Sequence, residues 1–185
     1  MTTRGRLLVA APGLTEESFH RAVILVVEHT DDGALGVALN RPGGVPIGEI
    51  LEGWEPVATS PAVMYVGGPV ERDAILALGA HRDPEGATEA GTTIVIGTIG
   101  VVDLSRDPDD VAAELTGLRL FSGYAGWSPG QLDAELDAGG WLVVDAEPGD
   151  VLTDRSASLW RTVLGRQGDP ALRRLALYPA DVSAN

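Results

Sequence analysis

Gly126-Trp127-Ser128-Pro129-Gly130 matches the G-x-S-x-G pattern, in which a serine between a strand and a helix attacks an acyl carbon. That chemistry needs a base for the hydroxyl proton and amide donors for the oxyanion. The residue after Ser128 is Pro129, which has no N–H to donate, and no histidine follows His81 in the chain. A base from earlier in the chain would still satisfy triad geometry, which recurs in several chain orders. The same residues also read as a helix start. Ser128 suits the N-cap, Pro129 the first helical position, and Gln131 completes a Ser-x-x-Gln capping box. The capping role explains more of the residues, so no catalytic residue is expected.

The three histidines, His20, His29 and His81, show no HExxH-like spacing, so no metal site is expected. His29 follows Glu28 at the end of an apolar run, which points the two side chains to opposite faces. Asp133 and Asp137 share a helix face and could hold Mg²⁺, but with Glu135 they read as exposed acidic surface. Arg41-Pro42-Gly43-Gly44-Val45-Pro46 lacks the spacing of a phosphate cradle, and Gly67-Gly68-Pro69 reads as a backbone turn. No cofactor is expected.

These residues sit in a chain of 185 with no cysteine and no lysine. Disulfides, thiolate nucleophiles and Cys-ligated metals are excluded by composition. With 27 acids against 13 bases, the net charge of −14 repels phosphate backbones, so direct nucleic-acid binding is disfavoured. The apolar run Leu7–Ala11 is shorter than a signal-peptide core, and no stretch approaches a membrane span. A cytoplasmic protein with no membrane segment is expected. Charge is uneven: Arg155, Arg161, Arg166, Arg173 and Arg174 face only Asp154 and Asp169 in their stretch. That stretch reads as a solvated helix face beside an acidic one, or as a docking patch for an acidic protein partner.

No repeat or linker divides the chain, so residues 1–185 are read as one domain. Leu7–Ala10 predicts a strand, and Ala22–Val27 a strand buried on both faces. Asp31-Asp32-Gly33 turns into an alternating segment, with Leu35, Val37 and Leu39 on one face and Ala34, Gly36 and Ala38 on the other. That small face implies a close neighbour. Residues 40–44 read as a loop and Ile47–Trp54 as a short helix. Strands are expected at Val63–Val66, Ala74–Leu78, Leu118–Tyr124 and Trp141–Val144, with one or two β segments in Thr92–Val102. Helices are expected at Pro108–Leu115, Pro129–Leu136, Ser156–Arg166 and Ala171–Leu177. Strands that neighbour one another without strict helical alternation give an α+β class with a largely antiparallel sheet.

Several segments, in order, carry a family resemblance: Gly5–Pro12, Phe19–Ile24, Glu28-His29, Gly33–Gly36, Asn40-Arg41-Pro42, Gly67–Val70 and Gly123–Leu132. Together they resemble the YqgE/AlgH family, also called UPF0301, from about Gly5 to beyond Trp141; Ala22 and Asp133 depart from the expected Ser or Thr and Glu. The resemblance implies a compact α+β fold, a bent sheet forming a pseudo-barrel flanked by helices. It supplies no established catalytic residue, and one branch carries the name of a transcriptional regulator. Its polar positions fall here on Arg21, Glu28, His29, Asn40 and Gln131, the candidate binding residues. A non-enzymatic regulatory or protein-binding factor is the leading expectation. The alternative is a hydrolase or metal-dependent enzyme around Glu28, His29 and Asn40.

Overall fold

The computed structural model describes residues 2–14 and 16–177. Ten strands and six helices run in the order β1 (Arg6–Ala10), β2 (Val23–Thr30), β3 (Gly33–Ala38), β4 (Pro42–Pro46), β5 (Val63–Val66), β6 (Val70–His81), α1 (Pro84–Glu89), β7 (Ile94–Ile96), β8 (Ile99–Val101), α2 (Pro108–Glu114), β9 (Leu115–Trp127), α3 (Gln131–Asp137), β10 (Trp141–Asp145), α4 (Pro148–Val151), α5 (Leu159–Gly165) and α6 (Pro170–Leu175). Short 3-10 turns lie at Ile47–Glu49 and Ser156–Ser158.

The main sheet has the order β10-β1-β2-β3-β9-β6-β8-β7, antiparallel throughout. β5 joins β9 in parallel, with Tyr65 opposite Phe121, and carries β4 on its other side. The sheet curls into a half-barrel. Ahead of β1, Arg4 donates to Val27 O at 3.1 Å and, across the opening, to Ile94 O on β7 at 2.6 Å.

Period-two alternation explains how a curled sheet buries both faces. Leu7, Val9, Val23, Leu25 and Val37 point inward, where Leu159, Trp160, Val163 and Leu164 of α5 fill the hollow. Leu8, Ala10, Ile24, Val26, Ala34 and Ala38 point outward under α3 and the Trp127–Trp141 pair. On the other half, Ala77, Leu118 and Leu120 point outward beneath Val111 of α2, Ile47 and Trp54. Each fully buried aliphatic side chain contributes about 1.5–3 kcal/mol relative to exposure. The small face of β3 has its neighbour: a Cβ on Gly36 would come within 2.6 Å of Ile24 Cγ2.

Several elements depart from the sequence reading. Only the first residues of Ile47–Trp54 coil, as a 3-10 turn, because Gly48 and left-handed Gly53 favour a compact loop over a helix. Ile47 and Trp54 are buried nonetheless. β4 begins inside the expected loop; Gly43, lacking a Cβ, lets it approach the Met64 carbonyl. α1 and α4, each opening on an acidic residue followed by proline, were not expected.

The cap at Ser128 also differs. The N-cap of α3 is Gly130, left-handed at φ 73°, and the helix begins at Gln131. Only half of the capping box forms: the Gln131 side chain accepts from the Ser128 N–H at 3.0 Å. Among the described residues the Ser128 hydroxyl has no hydrogen bond. Ser128→Ala is therefore expected to change stability by less than about 0.5 kcal/mol in urea unfolding. A loss near about 1 kcal/mol would restore the capping role.

Candidate functional site

Three clefts stand out among the described residues, and two of them are built from the segments that carry the family resemblance. One, about 580 Å³, lies between the β2–β3 turn and the end of β9, lined by Glu28, Thr30, Asp32, Tyr124, Trp127 and Ser128. The other, about 420 Å³, is lined by Glu17, Phe19, Asn40, Arg41, Pro69 and Arg72. They adjoin along Gly68-Pro69-Val70, since Val70 lines the first and Gly68 and Pro69 the second. Two apolar side chains stand out here, Val66 at 43% exposure and Val70 at 36%.

Glycine makes this face possible. The Gly67-Gly68 segment crosses β9 so closely that a Cβ on Gly68 would overlap the Tyr124 carbonyl and the Ala125 nitrogen. Gly123, left-handed at φ 66°, yields the matching space on β9, where a Cβ would stand 2.7 Å from Gly68 O. The Gly-Gly-Pro stretch is thus a tight backbone crossing.

The five candidate binding residues do not converge on one site: of the five, only Glu28 and Asn40 line these two clefts. Asn40 accepts from Val23 N at 3.0 Å and donates to Arg21 O at 2.8 Å, fixing the start of β2. Arg21, held left-handed at φ 54°, stacks its guanidinium 4.6 Å from the Trp160 ring centroid. Burial, and Arg161 nearby, push the Arg21 pKa down. Glu28 is exposed in the larger of the two clefts. His29 Nδ1 accepts from Thr3 N at 3.1 Å, so the neutral ring carries its proton on Nε2. Glu28 and Asn40 therefore line different clefts, and His29 lines none of the three.

Gln131 belongs to a network that docks α3. It donates to Glu135 Oε1 at 3.0 Å, while Glu135 Oε2 accepts from the indoles of Trp127 and Trp141, both at 2.9 Å. Burial alone would raise the Glu135 pKa, but these hydrogen bonds from Trp141, Trp127 and Gln131 outweigh it and hold the carboxyl below its ordinary range. Glu135 is thus a structural acceptor, not a bare acidic surface residue.

Two buried polar side chains escaped the sequence reading. Arg119, 1% exposed, sends its guanidinium to three backbone carbonyls: Val151 at 3.1 Å, Thr153 at 2.7 Å and Ser60 at 3.0 Å. It also lies 4.3 Å from the Tyr65 ring centroid. The signal was its position two before Phe121, which puts it on the inward face.

His81, at the end of β6, is 5% exposed and lines the third of these clefts, about 720 Å³ between α1, α2 and β8. Neither ring nitrogen has a hydrogen-bond partner. An unsatisfied buried polar group costs about 1–3 kcal/mol. Burial lowers the His81 pKa from its ordinary 6.5, against the opposing pull of Glu114 and with help from Arg106. Well above pH 6.5 the ring is neutral in both the folded and unfolded chain. Below that, the unfolded chain takes up a proton that the folded ring resists. Stability therefore falls with pH until the lowered folded pKa is passed, by at most about 1.4 kcal/mol per pH unit for one proton. His81→Phe is expected to flatten this decline, read by urea unfolding between pH 6.5 and the onset of carboxylate protonation. An unchanged slope would assign the decline to other groups.

Comparison with known proteins places this architecture. A family model described as AlgH-like matches residues 7–171. A UPF0301 protein of Streptomyces avermitilis is 49% identical over 185 aligned residues, covering 98% of this chain and 94% of that protein. One from Mycobacterium tuberculosis is 45% identical, covering 98% and 90%. Among solved structures, a Corynebacterium diphtheriae protein superposes with a TM-score of 0.89 at 33% identity, over 96% of this chain and 93% of that one. The solution structure of the AlgH protein from Pseudomonas aeruginosa gives 0.63, also at 33% identity, over 89% and 90%.

Proposed function

This chain belongs to the AlgH-like UPF0301 family, and from that premise we propose that it is a non-enzymatic regulatory factor that works by binding a protein partner. The observation that carries this reading is the paired-cleft face. Segments far apart in sequence, and shared with the family pattern, converge there around exposed Val66 and Val70. The polar groups bordering it, Asn40 and Gln131, are hydrogen-bonded within the fold. Exposed apolar side chains rimmed by charges such as Glu28, Arg41 and Arg72 suit association more than turnover. The Arg155–Arg174 stretch is a weaker docking candidate, because Arg166 is engaged by Asp150 and by Glu147 at 3.4 Å.

The test is a two-component titration. A partner found by cross-linking in bacterial extract, identified and purified, is expected to bind saturably. Val70→Glu combined with Arg72→Glu is expected to weaken it at least about tenfold, or 1.4 kcal/mol. Equal binding by the double variant would move the interface elsewhere, and Arg173→Ala with Arg174→Ala then tests α6. The regulator name borne by part of the family raises a second reading, direct DNA binding. With a net charge of −14, no sub-micromolar, sequence-selective shift is expected in a low-salt gel titration.

A further inference from the structure

On the reading that a protein partner binds the paired-cleft face, one cation there has its charge left unanswered by the fold. Arg41 lines the smaller cleft of the pair and is half-buried, and burial pushes its pKa down. One Nη donates to His20 O at 2.6 Å. Among the described residues the guanidinium has no other hydrogen bond and no carboxylate within 4.0 Å, so most of its donors are unused. Arg72, exposed on the same cleft, also lacks a carboxylate at that range, and Glu17, the one acid in the lining, pairs with neither. Other arginines held against the core are answered: Arg119 by three carbonyls, Arg166 by Asp150 and Glu147.

The surroundings of Arg41 specify what meets it. Phe19, Pro42, Val66 and Pro69 line the same cleft, so a group that reaches the guanidinium is flanked by apolar surface. A carboxylate there would form charge-assisted hydrogen bonds, the stronger kind, with a planar donor fork that suits it. The adjoining cleft holds Glu28 and Asp32 and no base in its lining, so it repels an acid and fixes which cleft the acid enters. The chain's net charge of −14 opposes an acidic partner at long range. At about 0.15 M salt, charges more than about 8 Å away are largely screened, whereas a partly buried contact is screened much less.

We infer that the cleft holding Arg41 receives an acidic side chain of the protein partner, an aspartate or glutamate flanked by apolar residues. Its carboxylate meets the Arg41 guanidinium, and its apolar neighbours cover Val66 and Val70.

Random peptides displayed on phage serve as the probe, selected on the intact protein at about 0.15 M salt. The selected peptides are expected to carry Asp or Glu beside Leu, Ile, Val or Phe more often than the library does. A synthetic copy of the strongest is expected to shift the backbone amides of Val66 and Arg72 saturably. Replacing its acid by the matching amide, or Arg41→Gln in the protein, is expected to weaken binding at least about tenfold. The two changes together should lose little more than either alone, a coupling that a merely structural role of Arg41 would not produce. Should Arg41→Gln not fold, the acid-to-amide change read on the wild type still decides. Peptides that map to Val66 and Arg72 yet bind as well without their acid, or as well to Arg41→Gln, would overturn the inference and leave the partner-binding reading standing. Selection of no peptide at this face would overturn it too; that reading is decided separately, by the partner titration with Val70→Glu and Arg72→Glu.

Discussion

Arg119→Met is expected to destabilise the protein by about 3 kcal/mol or more, since three buried carbonyls lose their donor at about 1–3 kcal/mol apiece. The comparison that makes such replacements harmless elsewhere does not apply. A buried ion pair can be exchanged whole for apolar side chains, but the partners of Arg119 are backbone carbonyls of Ser60, Val151 and Thr153, which no substitution removes. Two of these carbonyls lie at the C-terminal end of α4, where helical acceptors go unused by the helix itself. Burial lowers the guanidinium pKa, offset in part by Tyr65 and Asp154, so the fold tolerates the cation at some cost in order to satisfy these carbonyls. Arg119→Lys is expected to recover little, since one ammonium cannot reproduce a planar fork spanning three acceptors. Urea unfolding should show a lower midpoint at unchanged slope. A loss below about 1 kcal/mol would mean that water or relaxed backbone replaces the guanidinium without strain.

Gly68→Ala is expected to cost about 3 kcal/mol or more, or to leave no folded protein. The atoms that a new methyl would overlap are the main chain of β9 at Tyr124 and Ala125, so no rotamer change relieves the clash. Gly44→Ala is the matched control: its Cβ would meet nothing within 4 Å, and its backbone needs no left-handed angle. That variant should be neutral or gain about 0.5 kcal/mol through reduced freedom of the unfolded chain. Thermal unfolding of the pair separates the clash from glycine's general entropy. Similar losses in both would refute the crossing as the reason for Gly68.

The sequence was legible where burial and periodicity agree. Leu7–Ala10 and Ala22–Val27 alternate between two apolar surroundings, and both the strands and the two-faced burial are found. Val63–Val66 is a strand with the expected bounds. The resemblance implied the bent sheet, and the half-barrel bears it out. Legibility failed where tertiary contact decides the local state. Pro42–Pro46 pairs as a strand although its composition is that of a loop, because β5 supplies the partner. β6 runs on through His81, past the expected end at Leu78, because β9 continues beside it. The link from Thr3 to His29 spans 26 residues, and no local pattern foretells it. Ser128 had the composition of a cap, yet the left-handed turn at Gly130 moved the helix start beyond its reach.

β1 pairs with β10, Leu8 facing Val143, as well as with its near neighbour β2. On the ribosome, where domains generally form from the leading end, that second edge must wait until Trp141–Asp145 has been made. A strand with apolar side chains on both faces is meanwhile left half paired, a template for wrong partners. Closure over such a distance in sequence is slow by its topology, so holding factors acting on nascent chains have their greatest leverage at this strand.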